Sequence, residues 1–529
     1  MLTSSCVEFK LGPTQSQAGG VMDAVLIVGA GPTGLALALW LDRHRVKVRI
    51  IDRSAAPGTA SRAVVIHART LELYRQLGLA ERMVAAGHVS DGIHFWAEGE
   101  RRADLVFGAA GTGMTPYPYV LILPQDRHEQ LLVEALAQRG IAVERETELV
   151  GLEEQADHVL ARLRDPDSQE RSVAVRYLAG CDGAHSAVRH ALGLAFEGGT
   201  YEHVFYVADV QAAIPAPTGD AHFALDRGDF VAVFPYNEHG HVRLIGAVRD
   251  AAAAAADTPL RYEDVQSDAL HSLGVEVTQV NWFSTYRVHH RIASRFRQGR
   301  CFLLGDAAHV HSPAGGQGMN TGIADAANLA WKLAAVLRQE ADERLLDTYE
   351  AERRAFALQL VATTDRAFTL VTRTGRLAEL VKDHVAPAVL AAVFANDHLR
   401  RRAFGLVSQT ALAYPDSPLS TGRAGTLHGG DRFPWIAGEE GDSFALLQDG
   451  VWVAYACGLV PEQVRAWCVQ HGVQVHEAPW TAAQARAGCA RGALYLVRPD
   501  MYVGLALPHP EVAALEAYIQ KAGCLLPVS

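Results

Sequence analysis

The stretch from Val25 to Asp52 restricts the fold of this chain more than any other. Val25-Leu26-Ile27-Val28 is a short buried strand, and Gly29-Ala30-Gly31-Pro32-Thr33-Gly34 follows at once with GxGxxG spacing. Leu35 to His44 reads as a helix. Val46 to Ile51 is the next strand, and it ends in Asp52, 18 positions after the last glycine. Strand, glycine turn, helix, strand and acid in this order define a dinucleotide-binding βαβ unit. Its parts are a tight turn, close approach of backbone to a pyrophosphate, and a carboxylate that accepts from a ribose hydroxyl. The run from Val25 to Leu41 is apolar enough to suggest a membrane helix, but Gly29, Gly31, Pro32 and Gly34 interrupt it as a turn would.

A second strand–turn–helix lies at Cys301 to Leu337. The apolar run Cys301-Phe302-Leu303-Leu304 precedes GDAAHVHSPAGGQGMNTG (Gly305–Gly322), after which Ile323, Ala327, Ala330, Ala334 and Leu337 recur at helical spacing. The turn holds one carboxylate, Asp306, and the glycines Gly315, Gly316 and Gly318 stand where the helix opens. Glycines let a flat ligand approach the backbone closely. The free N–H groups and positive dipole end of a helix suit a group that carries, or will acquire, negative charge.

With 529 residues the chain is too long for one core, so two or three domains are expected. A formal net charge of −11 without a basic cluster argues against nucleic acid or an anionic membrane surface as partner. The seven cysteines form neither CxxC nor a zinc-ligand pattern, which points to structural thiols in a reducing, cytoplasmic setting and to no metal site. Met1 to Val21 reads as a disordered leader (1–21), with Met22 as functional start. Asp165-Pro166-Asp167-Ser168 is a hairpin turn between Val159–Arg164 and Ser172–Arg176, and Tyr177–Gly180 ends a strand at Cys181-Asp182-Gly183. Short β-branched and aromatic runs between Thr200 and Arg249 predict an antiparallel sheet inserted in the nucleotide domain. A helix is expected around Tyr262–Leu273, beyond the low-complexity Ala251–Ala256. Strand and helix signals restart from Ser443 as a thioredoxin-like α/β pattern without CxxC, so thiol–disulfide chemistry is not expected there.

The ordered motifs GxGxxG, the Asp182-Gly183 turn and Gly305–Gly322, continued by Leu345–Glu350, resemble the group A single-component flavoprotein aromatic monooxygenases of the phenol and chlorophenol hydroxylase type. The resemblance implies an α/β fold: a Rossmann-like FAD-binding domain (22–199 and, with a helical region, 290–402), an inserted antiparallel-sheet substrate domain (200–289), a linker (403–442) and a thioredoxin-like domain (443–529). It implies FAD as cofactor, NADPH as co-substrate, and hydroxylation of an electron-rich phenolic ring with O2 through a flavin C4a-hydroperoxide. Gly29, Gly31, Gly34 and Asp52 would hold the ADP half and Arg62 the pyrophosphate. Gln125 would contact the ribityl side, and Asp306 a ribityl hydroxyl. Asp182 would serve cofactor and NADPH handling. Pro313, Gly318, Met319 and Asn320 would lie along the isoalloxazine ring, where a helix N-terminus stabilises the anionic reduced flavin. The resemblance leaves room for a homodimer.

The residue that deprotonates the phenol is open at this stage. Some phenol hydroxylases have an aspartate close to the position of Val64, and this chain does not. His67, Tyr236, Tyr286 and His289 are the candidates, since an imidazole or a tyrosine can assist a phenol. The rival readings are a related flavoprotein performing Baeyer–Villiger, epoxidation or oxidative tailoring of a polycyclic natural product, and a flavin-binding protein without turnover.

Overall fold

The computed structural model describes residues 23–58, 63–214, 219–226, 229–237, 239–248, 260–265, 268–312, 314–372, 395–438 and 441–524. The leader, Arg62, Pro313, the Ala251–Ala256 stretch and residues 373–394 of the expected helical region lie outside these.

Strand β1 (Asp23–Val28), helix α1 (Pro32–Arg43) and strand β2 (Val48–Ile51) form the βαβ unit. The two strands are parallel, with Ile27 opposite Ile50. Val25, Leu26 and Ile27 have no exposed surface, because helices cover a parallel sheet on both faces; hence the unbroken apolar run. Pro32 opens α1, where its missing N–H is not needed. Helix α2 (Ala68–Gln76) follows. Strands β3 (Gly92–Ala97) and β4 (Glu100–Val106) then leave for a second sheet. Strand β5 (Glu170–Gly180) returns beside β1, with Ile27 opposite Ala179. It is one continuous strand where the sequence suggested two, and the turn before it closes through Ser168 N–H donating to Asp165 O at 2.9 Å.

The second sheet is built from β6 (Phe196–Ala213), β7 (Ala221–Asp226), β8 (Asp229–Pro235), β9 (His241–Ala247) and β10 (Glu276–Ala293). Strand β11 (Cys301–Leu303) rejoins the first sheet parallel to β5, and β12 (His309–Val310) edges the second. The order in the second sheet is β12-β10-β6-β9-β8-β7-β3-β4. This corrects the expected all-antiparallel insert: β3 and β4 come from the first part of the chain, and β3 pairs with β7 in parallel, Phe95 opposite Phe223. The helix expected at Tyr262–Leu273 is a single 3-10 turn, Tyr262–Asp264, and a short helix, Asp268–Ser272.

Helix α3 (Gln317–Leu337) and helix α4 (Asp347–Thr372) complete the nucleotide domain. The C-terminal part holds β13 (Val453–Ala456), α5 (Glu462–Gln470), β14 (Gln474–Glu477), β15 (Leu494–Val497), β16 (Val503–Leu507) and α6 (Val512–Ala522). β13 is parallel to β14 and antiparallel to β15, which is antiparallel to β16. Thr421–Ala424, in the stretch read as linker, pairs parallel with β16.

A buried polar seam joins this unit to the rest. Arg498 donates to both oxygens of Glu352 at 2.6 and 3.0 Å and to Asp500; Lys332 Nζ reaches Glu352 at 2.8 Å, and Ser417 Oγ reaches its other oxygen at 2.6 Å. Beside it Arg69 bonds Glu72 (3.1 Å) and the carbonyl of Asp500 (2.8 Å), while Arg432 reaches Glu72 at 3.1 Å. Burial pulls Lys332 down to about 8 in spite of Glu352. Ions in such surroundings are tolerable only as a complete set, because removing one partner leaves an uncompensated buried charge. Arg498→Ala is therefore expected to lower the unfolding free energy by about 3–5 kcal/mol in urea titrations. A loss under 1 kcal/mol would contradict the seam's role.

Candidate active site

The ends of β1, β2 and β5 converge on the first glycine turn. Gly29 has φ +101°, and a Cβ there would overlap the carbonyl of Cys181; a Cβ on Gly34 would overlap the carbonyl of Gly29. A Cβ on Gly31 would meet nothing within 4 Å, so this glycine faces open space. Asp52 accepts from the N–H of Ala30 at 2.7 Å and of Ser54 at 2.8 Å, one bond to each carboxylate oxygen. Gln125 accepts from Ala63 N–H at 3.3 Å and donates to Glu129 at 2.8 Å.

The second turn is fastened to α3 by one carboxylate the sequence reading passed over. Asp325, wholly buried, accepts from Gly305 N–H (3.0 Å), His309 Nε2–H (2.9 Å) and Arg353 Nε–H (2.6 Å). Burial pushes this carboxyl up, but Arg353 and His309 outweigh it and leave it below the ordinary range. Arg353 continues to Tyr414 Oη (2.8 Å) and Thr321 O (3.1 Å). The available signal was an acid inside the apolar run of α3. With its loop so held, Asp306 stands exposed on the turn.

Gly315 (φ +77°) and Gly316 (φ +64°) are left-handed, which lets the chain turn sharply into α3. No side chain caps this helix. The N–H groups of its first turn are therefore without a side-chain partner. The Asn320 side chain is fully used within the protein. Its Oδ1 accepts from His67 N–H (3.0 Å) and Thr70 (2.7 Å), and its Nδ2 donates to Val65 O (2.9 Å) and Gly316 O (2.8 Å).

In the Asp182 turn, Oδ2 accepts from Val188 N–H at 3.2 Å while Oδ1 is buried with no hydrogen-bond partner, and burial raises its pKa. Arg189 ties this turn to the second one through Ala307 O at 2.9 Å. A bent glycine turn open at Gly31, an orphaned buried carboxylate oxygen and an uncapped helix start fit a ligand with hydroxyls, a pyrophosphate and an electron-accepting ring.

Facing these turns is one surface of the second sheet. Residues alternate along each strand, so Phe95, Phe223, Phe230, Phe234, Arg243, Asp209, Phe205 and Tyr286 share a face. Several of them are only half-buried and pack against the core of the nucleotide domain. Phe223 anchors the aromatic part, with Phe95, Phe234 and Phe230 at ring distances of 5.8, 5.7 and 6.2 Å. Among them sits one ion pair: Arg243 grips both oxygens of Asp209 at 2.6 and 2.7 Å, and Tyr236 Oη–H donates to Asp209 at 2.7 Å. Arg243 and Asp209 were missed in the sequence because only strand register brings them together.

The four candidate bases do not converge. His67 is buried and donates from Nε2 to Gly315 O at 2.8 Å, and burial lowers it to about 4. Tyr236 belongs to the Asp209 cluster. Tyr286 lies tilted against Phe205, with ring centroids 6.1 Å apart. His289 points off the aromatic face, exposed beside Thr200 Oγ1 at 2.7 Å. Among the described residues no three His, Cys, Asp or Glu side chains come together as metal ligands, and no helix is long and apolar enough to cross a membrane.

The geometry is that of a dinucleotide-binding flavoprotein with a second sheet over its ring site. The chain matches the FAD binding domain family over residues 22–364 and belongs to it. It is 40% identical over 406 residues to 6-methylpretetramide 4-monooxygenase of Streptomyces rimosus, covering 75% of this chain and 71% of that one. It is 35% identical over 359 residues to pentachlorophenol 4-monooxygenase of Sphingobium chlorophenolicum, 67% and 66% of the two chains. Anhydrotetracycline hydroxylase from Streptomyces rimosus superposes with a TM-score of 0.76 at 29% identity, over 96% of this chain and 99% of that one. This protein is an FAD-dependent aromatic monooxygenase.

On the far side of the aromatic sheet His94 bridges Asp104 (2.8 Å) and Asp220 (3.0 Å). The Asp220 bond lifts its pKa above 6.5; burial offsets part of this, and Asp104 adds to the rise. Asp220 is lowered in turn, chiefly by His94. The clamp is fully stabilising below the unfolded histidine value, near 6.5, and is lost as pH rises through the higher folded value. In acid it fails again as Asp220 protonates. Between pH 6 and 8.5, stability of the natural protein is expected to fall more steeply than that of His94→Gln; parallel curves in denaturant titrations would refute the clamp.

Proposed function

We propose that the chain hydroxylates a phenolic, multi-ring aromatic compound in the space between the start of α3 and the aromatic sheet face, using NADPH as reductant. What carries this reading is the pairing of an uncapped helix start with a broad wall of phenyl rings that contains the Arg243–Asp209 ion pair. Identity of 40% to a monooxygenase named for 6-methylpretetramide favours several rings over one.

For the cofactor, Gly29, Gly31, Gly34 and Asp52 hold the ADP half, with Arg62 at the pyrophosphate and Gln125 and Asp306 at the ribityl chain. Asp182 serves cofactor and NADPH handling. The backbone at Gly318, Met319 and Asn320, with Pro313, lines the ring. FAD, once reduced, supplies the activation of O2 for transfer to the substrate. The helix N–H groups favour negative charge placed against them. The phenyl wall keeps water from the ring.

Of the four candidate bases we retain Tyr236. Its hydroxyl donates to Asp209, so its lone pairs are presented to a phenolic hydrogen, and Arg243 fixes Asp209 for that purpose. As the phenolic proton moves to Tyr236 Oη, Tyr236 passes its own to Asp209, which leaves the substrate ring enriched in electrons. His67 is a loop support, Tyr286 a wall residue and His289 peripheral. The C-terminal β13-α5-β14, β15-β16, α6 arrangement supports a thioredoxin-like unit, and the six buried free thiols support a reducing, cytoplasmic location.

NADPH oxidation stimulated by a phenolic polycycle, with one atom of labelled O2 in the product, tests the activity. NADPH consumption that no phenol stimulates would end the reading. Asp306→Ala is expected to lose FAD absorbance on gel filtration, and full retention would remove its assigned contact. Tyr236→Phe is expected to keep FAD but lower hydroxylation about 100-fold, with oxygen diverted to peroxide; unchanged coupling would clear Tyr236 of the role.

A further inference from the structure

The absence of CxxC led the sequence reading to expect no thiol chemistry in the C-terminal unit. The fold nevertheless brings two of its cysteines together. Cys457 directly follows β13, and its backbone is fixed by donating to Ala493 O (2.9 Å) and accepting from Gly492 N–H (2.8 Å). Cys489 lies in the turn before β15, its N–H donating to Gln484 O at 3.0 Å. Both side chains are buried, the bond from Gly492 to Cys457 O holds the turn carrying Cys489 against the end of β13, and the Cys489 thiol is near enough to act on the charge of Cys457. Leu459, two residues beyond Cys457, is 88% exposed, so the pair lies just beneath a surface loop.

The other described thiols differ. Cys301, Cys468 and Cys524 are pushed up by burial to about 12, 11 and 12, and Cys181 is raised too. Cys457 moves the opposite way, because the Cys489 S–H stabilises its thiolate; burial opposes this less strongly. A thiolate with a second thiol in contact is the arrangement that reacts with peroxide and then closes a disulfide.

We propose that Cys457 and Cys489 form a peroxide-oxidisable dithiol, oxidised by hydrogen peroxide that the enzyme releases when reduced oxygen escapes without reaching substrate. The source of peroxide rests on the monooxygenase reading; the dithiol does not. The Cys457 thiolate attacks one peroxide oxygen, forming S–O and breaking O–O, and the departing hydroxide takes a proton to become water. The Cys489 sulfur then attacks Cys457, forming S–S and breaking S–O, and its proton leaves with the oxygen as a second water. Two thiols and one hydrogen peroxide thus give one disulfide and two waters. The closed bond would staple α5 and β14 between the two cysteines. Disulfides of reducing compartments are mostly transient and redox-sensing, and this one fits that class.

The test uses FAD-loaded full-length protein. Without NADPH, it is given stoichiometric hydrogen peroxide, quenched with catalase, alkylated and mapped by mass spectrometry without reductant. A peptide pair joined through Cys457 and Cys489, about 2 Da lighter than the two thiols and restored by dithiothreitol, is expected before any change at Cys181, Cys301, Cys468 or Cys524. In Cys489→Ser, dimedone should label Cys457; in Cys457→Ser, Cys489 should stay alkylatable. Retained FAD absorbance and an unchanged unfolding midpoint certify both variants as folded. Cys457 and Cys489 remaining as alkylatable as Cys181, Cys301, Cys468 and Cys524 after excess peroxide, or oxidation of any of those four first, would overturn the proposal. A second sample oxidising NADPH with a non-hydroxylated phenol analogue should form the same bond unless catalase is present. The bond appearing with added peroxide but not during NADPH oxidation would overturn the peroxide source and leave the dithiol standing.

Discussion

Asp325 takes three hydrogen bonds in a volume closed to water, and the geometry of the cofactor turn follows from them. Gly305 N–H fixes where the turn leaves β11, His309 fixes where it ends, and Arg353 holds the carboxylate from α4. A carboxylate this deep requires opposite charge, because desolvation alone would protonate it. Arg353 meets that need and, through Thr321 O, also holds the second turn of α3. The direction of the helix start is therefore set by an ion pair on the helix's inner side. Thr33 adds a second closure: added side-chain atoms at either Gly305 or Gly322 would collide with it, so α1, the turn and α3 meet with no room between them.

Local patterns made the βαβ unit, the second glycine turn, the Asp165–Ser168 hairpin and α3 readable, because each is decided within a few residues. What escaped depends on partners far apart in the chain. β3 joins the second sheet only by pairing with β7, whose sequence comes more than a hundred residues later. Asp209 and Arg243 are two ordinary charges until the register of β6 and β9 sets them opposite. His67 illustrates the reverse case. Its position beside the cofactor motif suggested chemistry, but a buried imidazole whose Nε2–H supports Gly315 O is a strut for the loop.

The second sheet divides its duties by strand alternation. One face carries the phenyl rings; the other carries Val231, Val233 and Leu244 with the His94 clamp, packed over the short helix Asp268–Ser272. Odd and even positions of the same strands thus satisfy two requirements at once, an aromatic wall on one side and an aliphatic core on the other.

The seam at Glu352 has a consequence for recombination. Arg498 on the C-terminal unit pairs with Glu352 on the nucleotide domain and Arg69 donates back to the carbonyl of Asp500, while Lys332 and Asp500 complete the balance on their own sides. A chimaera that exchanges tails between relatives must therefore carry these charges as a matched lock and key, since a donor tail lacking one tooth would strand a naked ion in the interior.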